Sequence, residues 1–150
     1  MRLQLHDGYR GEQLHIEGGG FQKLKYLGLR NLRGLNRLII DEGALPLLQN
    51  LDIGECPQLK EVPSSIQHLK SLKNLQLWEM PTEFVLSLQP DEGLDFGKVK
   101  HIPSVTFRIV EASGKVIRGG PKCPHHFQKI EGFKCQCFKD FQVLNQPEHQ

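Results

Sequence analysis

Leucine and other apolar residues recur along the first half of the chain at a fixed spacing. The pattern L-x-x-L-x-L begins at Leu24, recurs at Leu48 with isoleucine in its last position, and recurs again at Leu72. The step is 24 residues each time, and running it backwards places a truncated copy on Leu3 and Leu5. Eighteen of the 22 leucines lie at or before residue 77. The chain therefore divides into a repeat region and a different C-terminal part.

Each copy predicts a short strand with one buried face. Leucines two residues apart have the period of a strand, and a single copy cannot bury them alone. Stacked copies bury them against one another, which predicts parallel strands centred on residues 3–5, 27–29, 51–53 and 75–77. The return segments across the outer face are 36–46 and 58–70. Since Pro57 precedes the second of these and Pro63 lies in it, we expect only a short helix within Ser64–Leu72.

A 24-residue period of this kind is typical of the leucine-rich repeat. The predicted fold is an α/β leucine-rich-repeat solenoid, a short parallel-sheet horseshoe segment of about four rungs with a C-terminal cap and an irregular tail. The repeats lie near 1–23, 24–47, 48–71 and 72–95. Cys56 occupies the slot three residues beyond the last strand leucine, where Leu32 and Met80 are its counterparts. We expect Cys56 to be a buried structural residue rather than a reactive thiol.

Three pieces of the chain resemble the C-terminal repeats of plant coiled-coil-class nucleotide-binding leucine-rich-repeat disease-resistance proteins. They are IIDEGALPLLQNLDIGECPQLKEVP (Ile39–Pro63), IQHLKSLKNLQLWEMPTEF (Ile66–Phe84) and LQPDEGLDFGKVKHIPSV (Leu88–Val105). The resemblance covers about residues 1–108. It implies repeats that hold a nucleotide-binding module inactive and take part in sensing pathogen effectors or modified host proteins. The implied partners are therefore the nucleotide-binding module of a receptor, an effector, or a guarded host protein.

The chain departs from that family in two ways. The Gly-Lys steps at Gly97 and Gly114 are each followed by valine and lack the upstream glycine of a phosphate-binding loop. No coiled coil precedes the first strand, so we expect a fragment or a truncated product of such a receptor. The first ten residues lack the apolar core of a secretory signal, and this predicts a cytoplasmic protein.

Residues that alternate with the strand leucines should lie on the concave, solvent-facing side of the sheet. Tyr, Trp and Arg are the residues enriched at binding hot spots. The predicted protein-binding residues are Tyr26, Arg30, Asn50, Asp52, Asn74, Gln76 and Trp78. For Trp78, an alternative is that the indole covers the open end of the solenoid as a cap.

After the repeats, Pro81–Leu88 predicts a short helix and Val99–Val110 a final strand. Residues 111–120, with their glycines, predict a turn or linker. We accordingly expect a repeat domain with its cap over 1–110 and a low-order tail over 111–150.

The tail contains four side chains of the types that bind Zn²⁺, namely Cys123, His125, Cys135 and Cys137. Their C-x-C spacing does not match a known zinc finger, so we expect no metal site and no cofactor, and a zinc-dependent tail module is an alternative.

Charge and motifs narrow the function further. The formal charge of +2 gives no reason to expect nucleic acid as a partner, and no apolar stretch is long enough to span a membrane. No local motif of a catalytic site is present, so we expect no enzyme. The alternative function is a generic intracellular leucine-rich-repeat scaffold that binds a signalling protein such as a small GTPase.

Overall fold

The computed structural model describes residues 2–6, 11–88, 93–110, 114 and 116–122. Within these residues the chain forms eight strands, in the order β1 (Arg2–His6), β2 (Gln13–Ile16), β3 (Tyr26–Arg30), β4 (Arg37–Ile40), β5 (Asn50–Gly54), β6 (Asn74–Trp78), β7 (Ser104–Val110) and β8 (Val116–Lys122). One α-helix, α1 (Thr82–Leu86), and two 3₁₀ helices, Ser64–His68 and Phe96–Lys98, complete the described elements. None of these helices is long and apolar enough to cross a membrane.

The main sheet contains six strands in the order β1-β3-β5-β6-β7-β8. The first four pair in parallel with an unbroken 24-residue register, so that Leu3, Leu27, Leu51 and Leu75 lie side by side. This confirms the four predicted strands and the leucine-rich-repeat solenoid.

The core lies behind this sheet and follows the repeat columns. The strand leucines of the inner rungs are 0–2% exposed, as are Leu24, Leu48 and Leu72 at the start of each copy. Leu3 and Leu5 of the first strand are only partly buried. Each fully buried side chain of this size contributes roughly 1.5–3 kcal/mol, so the columns account for most of the hydrophobic stabilisation.

The residue that follows each inner strand has left-handed backbone geometry. Asn31, Glu55 and Glu79 have φ values of 56°, 55° and 53°. Their N–H groups donate at 2.9 Å to the carbonyl oxygens of Gly54, Trp78 and Arg108, which lie at one register position on the neighbouring strands. The turn thus continues the ladder by one hydrogen bond, which offsets the steric cost of this geometry for residues other than glycine.

A second, two-stranded sheet on the outer face joins β2 and β4, with Leu14 opposite Leu38. If the return segment 58–70 continued this sheet in the same register, Pro63 would lie opposite Ile39. Because proline has no N–H, it cannot donate to the carbonyl of Leu38 as a third strand would. The hydroxyl of Ser65 reaches that oxygen instead at 3.5 Å, and the chain continues as the 3₁₀ helix Ser64–His68. The short helix expected in this return is therefore confirmed.

The C-terminal cap follows β6. Helix α1 lies where the sequence predicted a short helix, and Phe84, Val85 and Leu88 are fully buried against the last rung. Strand β7 confirms the predicted final strand over 104–110 but not over 99–103, where the chain turns. It pairs with β6 at a step of 30 residues, with Asn74 opposite Ser104.

Strand β8 corrects one expectation. Residues 111–120 were expected to form a turn or linker, and this is wrong for 116–120, because β8 pairs antiparallel with β7 over Val116–Lys122. The pairing satisfies the backbone groups that the edge of β7 would otherwise leave open. The boundary between domain and tail at residue 110 stays a prediction.

Candidate functional site

The side of the main sheet opposite the leucine core, which we call the open face, carries three rows of side chains. Each row crosses the strands at one register position. The first row contains Arg2, Tyr26, Asn50, Asn74 and Ser104, the second Gln4, Gly28, Asp52, Gln76 and Thr106, and the third His6, Arg30, Gly54, Trp78 and Arg108. The structure therefore places all seven predicted binding residues in these rows, and their role in binding stays a prediction.

Tyr26 and Asp52 form a cluster in the first two rows. The Tyr26 hydroxyl donates to the Asp52 carboxylate at 2.6 Å, and the Arg2 guanidinium lies 4.0 Å from the centre of the Tyr26 ring. A side chain at Gly28 would approach the Tyr26 hydroxyl to 3.0 Å, so this glycine leaves room for the ring. Burial, and then the hydrogen bond to Asp52, raise the pKa of Tyr26 above its ordinary value of 10.0.

The next rungs continue the first row with polar groups. The Asn74 side-chain amide donates to the Asn50 side-chain oxygen at 2.8 Å, between residues that lie opposite each other in the sheet. Gln76 in the second row is exposed. This part of the open face therefore presents hydrogen-bonding groups, one pair of which is already satisfied across the strands.

Trp78 lies between two arginines in the third row. The Arg30 guanidinium lies 5.1 Å from the centre of the Trp78 ring and the Arg108 guanidinium 5.2 Å from it. Both distances are within the range of a cation–π interaction. Arg30 reaches the ring from two strands away, across Gly54. A Cβ atom at Gly54 would lie only 2.8 Å from both Arg30 Nε and Trp78 Cβ, so the stack requires glycine there.

Donor groups of this stack lack hydrogen-bond partners within the described part of the chain. Arg30 Nε, Trp78 Nε1 and Arg108 Nε are buried atoms without an acceptor. Glu55 Oε1 lies 4.0 Å from Arg30 Nε, at the limit of an ion pair, and half of its side chain is exposed. The row therefore retains unused capacity to donate hydrogen bonds.

The position of Trp78 tests one of its two predicted roles, and its role in binding stays a prediction. Strand β7 pairs with β6 on the side away from the repeats, and β8 follows β7. The alternative in which Trp78 covers the open end of the solenoid is therefore wrong, since the cap strands lie beyond it.

Arg108, which the sequence interpretation did not include, completes the third row. The 24-residue spacing does not reach it, because β7 follows at 30 residues. The alternation of Val105, Phe107 and Ile109 was the signal that could have identified Arg108 as a residue of the open face.

Two further titratable groups lie away from the open face. Cys56 is fully buried, as predicted, and burial raises the pKa of its thiol. On the outer sheet, Asp41 lies 2.8 Å from His15 Nε2 and accepts the N–H of Gly18 at 3.1 Å. The hydrogen bond from His15, followed by that from Gly18, lowers the pKa of Asp41.

An open groove of about 560 Å³ lies on the outer face, beside the break in the outer sheet. It is lined by residues 36–39 and 58–65 together with Lys98. Among the described residues, no cluster of His, Cys, Asp or Glu could hold a metal ion. The tail ligands considered from the sequence, Cys123, His125, Cys135 and Cys137, lie outside the described residues.

Comparison with known proteins shows what the chain is related to. No family model and no solved structure matches it. It is 37% identical over 102 residues to a probable disease resistance RPP8-like protein 4, and 35% identical over 99 residues to disease resistance protein RPP8, both from Arabidopsis thaliana. These matches cover 68% and 66% of this chain, and each spans 11% of the relative. Over about two thirds of its length, the chain is therefore a relative of plant disease resistance proteins, as its motifs predicted.

Proposed function

We propose that the chain is a non-catalytic protein-binding module of a plant immune receptor. In this role it takes part in recognising a pathogen effector or an altered host protein, and it restrains a nucleotide-binding module in the cytoplasm. The observation that carries the proposal is the open face, where parallel strands hold polar and aromatic side chains in fixed rows. A rigid array of this kind suits recognition of a protein surface.

The comparisons favour this function over a generic scaffold for a small GTPase, because the relatives are disease resistance proteins. Tyr26, Arg30 and Trp78 are half-buried residues of types that are enriched at hot spots. Tyr26 is held by Asp52 and Arg2, and Arg30 and Trp78 by each other, before any partner binds, which reduces the entropy cost of binding.

The test is a graft into a whole receptor. Residues 1–122, which include β8, replace the matching repeats of a related disease resistance protein, and leaf cell death is scored with and without its effector. Ala at Tyr26, Arg30 and Trp78 together should alter either the restraint without effector or the response to effector. The matched control carries Ala at Lys60, Glu61 and Gln67 on the outer face, and should behave as the unmutated graft.

A chain with the triple open-face replacement must first show a circular dichroism spectrum and a melting transition like those of the unmutated chain. If it folds normally and changes neither readout, the open face is not the working surface and the proposal is wrong.

A further inference from the structure

The third row of the open face has an unbalanced charge. Arg30 and Arg108 both contact Trp78. The row contains no carboxylate at any described register position from β1 to β8. Two guanidinium groups thus lie against one ring, with no carboxylate at the register positions of their row.

Neither Asp52 nor Glu55 forms a close ion pair with this row. Asp52 in the second row accepts the Tyr26 hydroxyl at 2.6 Å, so one of its oxygens is already occupied. Glu55 lies at the strand end, at the 4.0 Å limit from Arg30. Arg108 has no carboxylate within ion-pair distance in the described part of the chain. Bringing guanidinium groups onto one ring without counter-charges is unfavourable, and an incoming anion relieves that cost.

The two guanidinium groups are also held in place before binding. Arg30 Nε and Arg108 Nε are buried, so the terminal N–H groups of each guanidinium are the donors that an incoming group can reach. Arginine forks bind carboxylates with two parallel hydrogen bonds, which are roughly twice as strong as bonds between neutral groups. The row therefore combines fixed geometry, unused donors and positive charge.

From these contacts we propose that Arg30, Trp78 and Arg108 form a binding site for an acidic segment of the partner protein, whose carboxylates pair with the two arginines. The inference rests on the proposed protein-binding function and specifies the chemistry of the partner. The incoming segment suits the row when it is extended. Its alternate side chains then project from one face, about 7 Å apart, so that several carboxylates face the row together.

The probe is an unlabelled ten-residue peptide of alternating Glu and Thr, titrated into the full 150-residue chain at low salt. Trp78 is the sole tryptophan, so its emission reports occupation of the row directly. A matched peptide with Gln in place of Glu should not change the emission. Raising the salt concentration to about 0.5 M should weaken binding of the acidic peptide several-fold, because partly exposed ion pairs are screened.

Substitutions locate the site. Arg108→Gln and Arg30→Gln should each weaken binding of the acidic peptide about five- to tenfold, as expected for loss of a charged hydrogen-bonding group. The control Arg33→Gln removes the same charge from an exposed residue outside the row and should leave the affinity unchanged. Arg108→Lys keeps the charge but not the fork, and it should retain only part of the affinity. Thermal melting of each variant identifies any that does not fold, and the salt dependence of the unmutated chain then carries the test.

Three outcomes would overturn the inference: equal binding of the Glu and Gln peptides, no loss of affinity in either Gln variant, or tighter binding of a ten-residue oligothymidine than of the acidic peptide. The last would indicate nucleic acid as the partner. If the grafted receptor depends on the open face but Arg108→Gln changes nothing, the acidic partner alone is wrong. If the peptide binds as expected but the graft shows no role for the open face, the proposed receptor function alone is wrong.

Discussion

The Asp95 carboxylate accepts a hydrogen bond from the backbone N–H of Val62 at 3.2 Å, across 33 residues of sequence. Lys98 donates to the carbonyl oxygen of Val62 at 2.7 Å, and its ammonium lies 2.7 Å from Asp95. The cap thus binds both the N–H and the carbonyl oxygen of Val62, which lies in the return segment 58–70. Because Asp95 is only 8% exposed, its charge is stabilised by these partners more than by water.

Asp95→Ala should lower the free energy of unfolding by about 2–4 kcal/mol, because it leaves the Val62 N–H and the half-buried Lys98 ammonium without their acceptor. Urea denaturation followed by circular dichroism measures the loss. Asp41→Ala removes an exposed carboxylate that also pairs across two returns, and it should cost much less. Equal losses in the two variants would show that burial does not set the strength of the cap contact.

Gly54→Ala should disrupt the arginine–tryptophan stack. The new methyl group would lie 2.8 Å from both Arg30 and Trp78, so the side chains must move, at a cost of about 1–3 kcal/mol. The measurement combines thermal unfolding with the emission of Trp78. Gly97→Ala is the control, since a methyl group there meets nothing within 4 Å. An unchanged emission spectrum in Gly54→Ala would contradict the geometry of the stack.

Tyr26 should ionise above its ordinary pH range. Its raised pKa favours the neutral form in the folded state, so this contribution to stability is fully present below pH 10 and is lost as the pH rises through the folded pKa. Absorbance at 295 nm in a Tyr9→Phe variant isolates Tyr26, the remaining tyrosine. Asp52→Asn should lower the measured pKa, because it removes the negative charge that disfavours tyrosinate. An unchanged pKa of Tyr26 in Asp52→Asn would show that Asp52 does not cause the raised pKa.

Cys56 should resist modification in the folded chain. Burial raises the pKa of its thiol, so little thiolate is present at neutral pH, and the sulfur is inaccessible to reagents. A chain with Cys123, Cys135 and Cys137 replaced by Ser leaves this thiol alone for reaction with Ellman's reagent. The native rate should be roughly 100-fold or more below the rate in urea, since reaction requires opening of the core. Fast native labelling would show that the core opens locally at this rung.

Zinc should leave the tail unaffected. If Cys123, His125, Cys135 and Cys137 do not form a site, equimolar Zn²⁺ should change neither the proteolysis of residues 121–150 nor the melting temperature. Protection by Zn²⁺ that disappears in Cys135→Ser would instead establish the zinc-dependent tail module.

The main sheet was predictable because its signal is redundant. Leu27, Leu51 and Leu75 repeat with neighbours in several other columns, so one register satisfies all of them. Pro63 likewise marked the return where the outer sheet ends, since a residue without an N–H cannot extend a ladder. These features are local and periodic, which is the information that one sequence carries most clearly.

Other features depend on neighbours that a sequence does not reveal. Glu55 and Glu79 adopt left-handed geometry although glutamate has no local preference for it, because the ladder bond to the next strand is available only after stacking. Gly119 and Gly120 indicated a turn, but they lie in β8, where the open edge of β7 determines the pairing. The sequence predicted Arg30 and Trp78 but missed Arg108, because β7 follows β6 at a step of 30 residues instead of 24.

The stack across Gly54 also has a consequence for how this surface can change over evolutionary time. Each repeat is one structural unit, yet Arg30, Gly54 and Trp78 lie in three successive copies. Any crossover that replaces only the middle copy with one carrying a side chain at that position separates the outer two partners. The three positions must therefore be inherited together, on a block of three repeats, whereas Gln76 can vary alone.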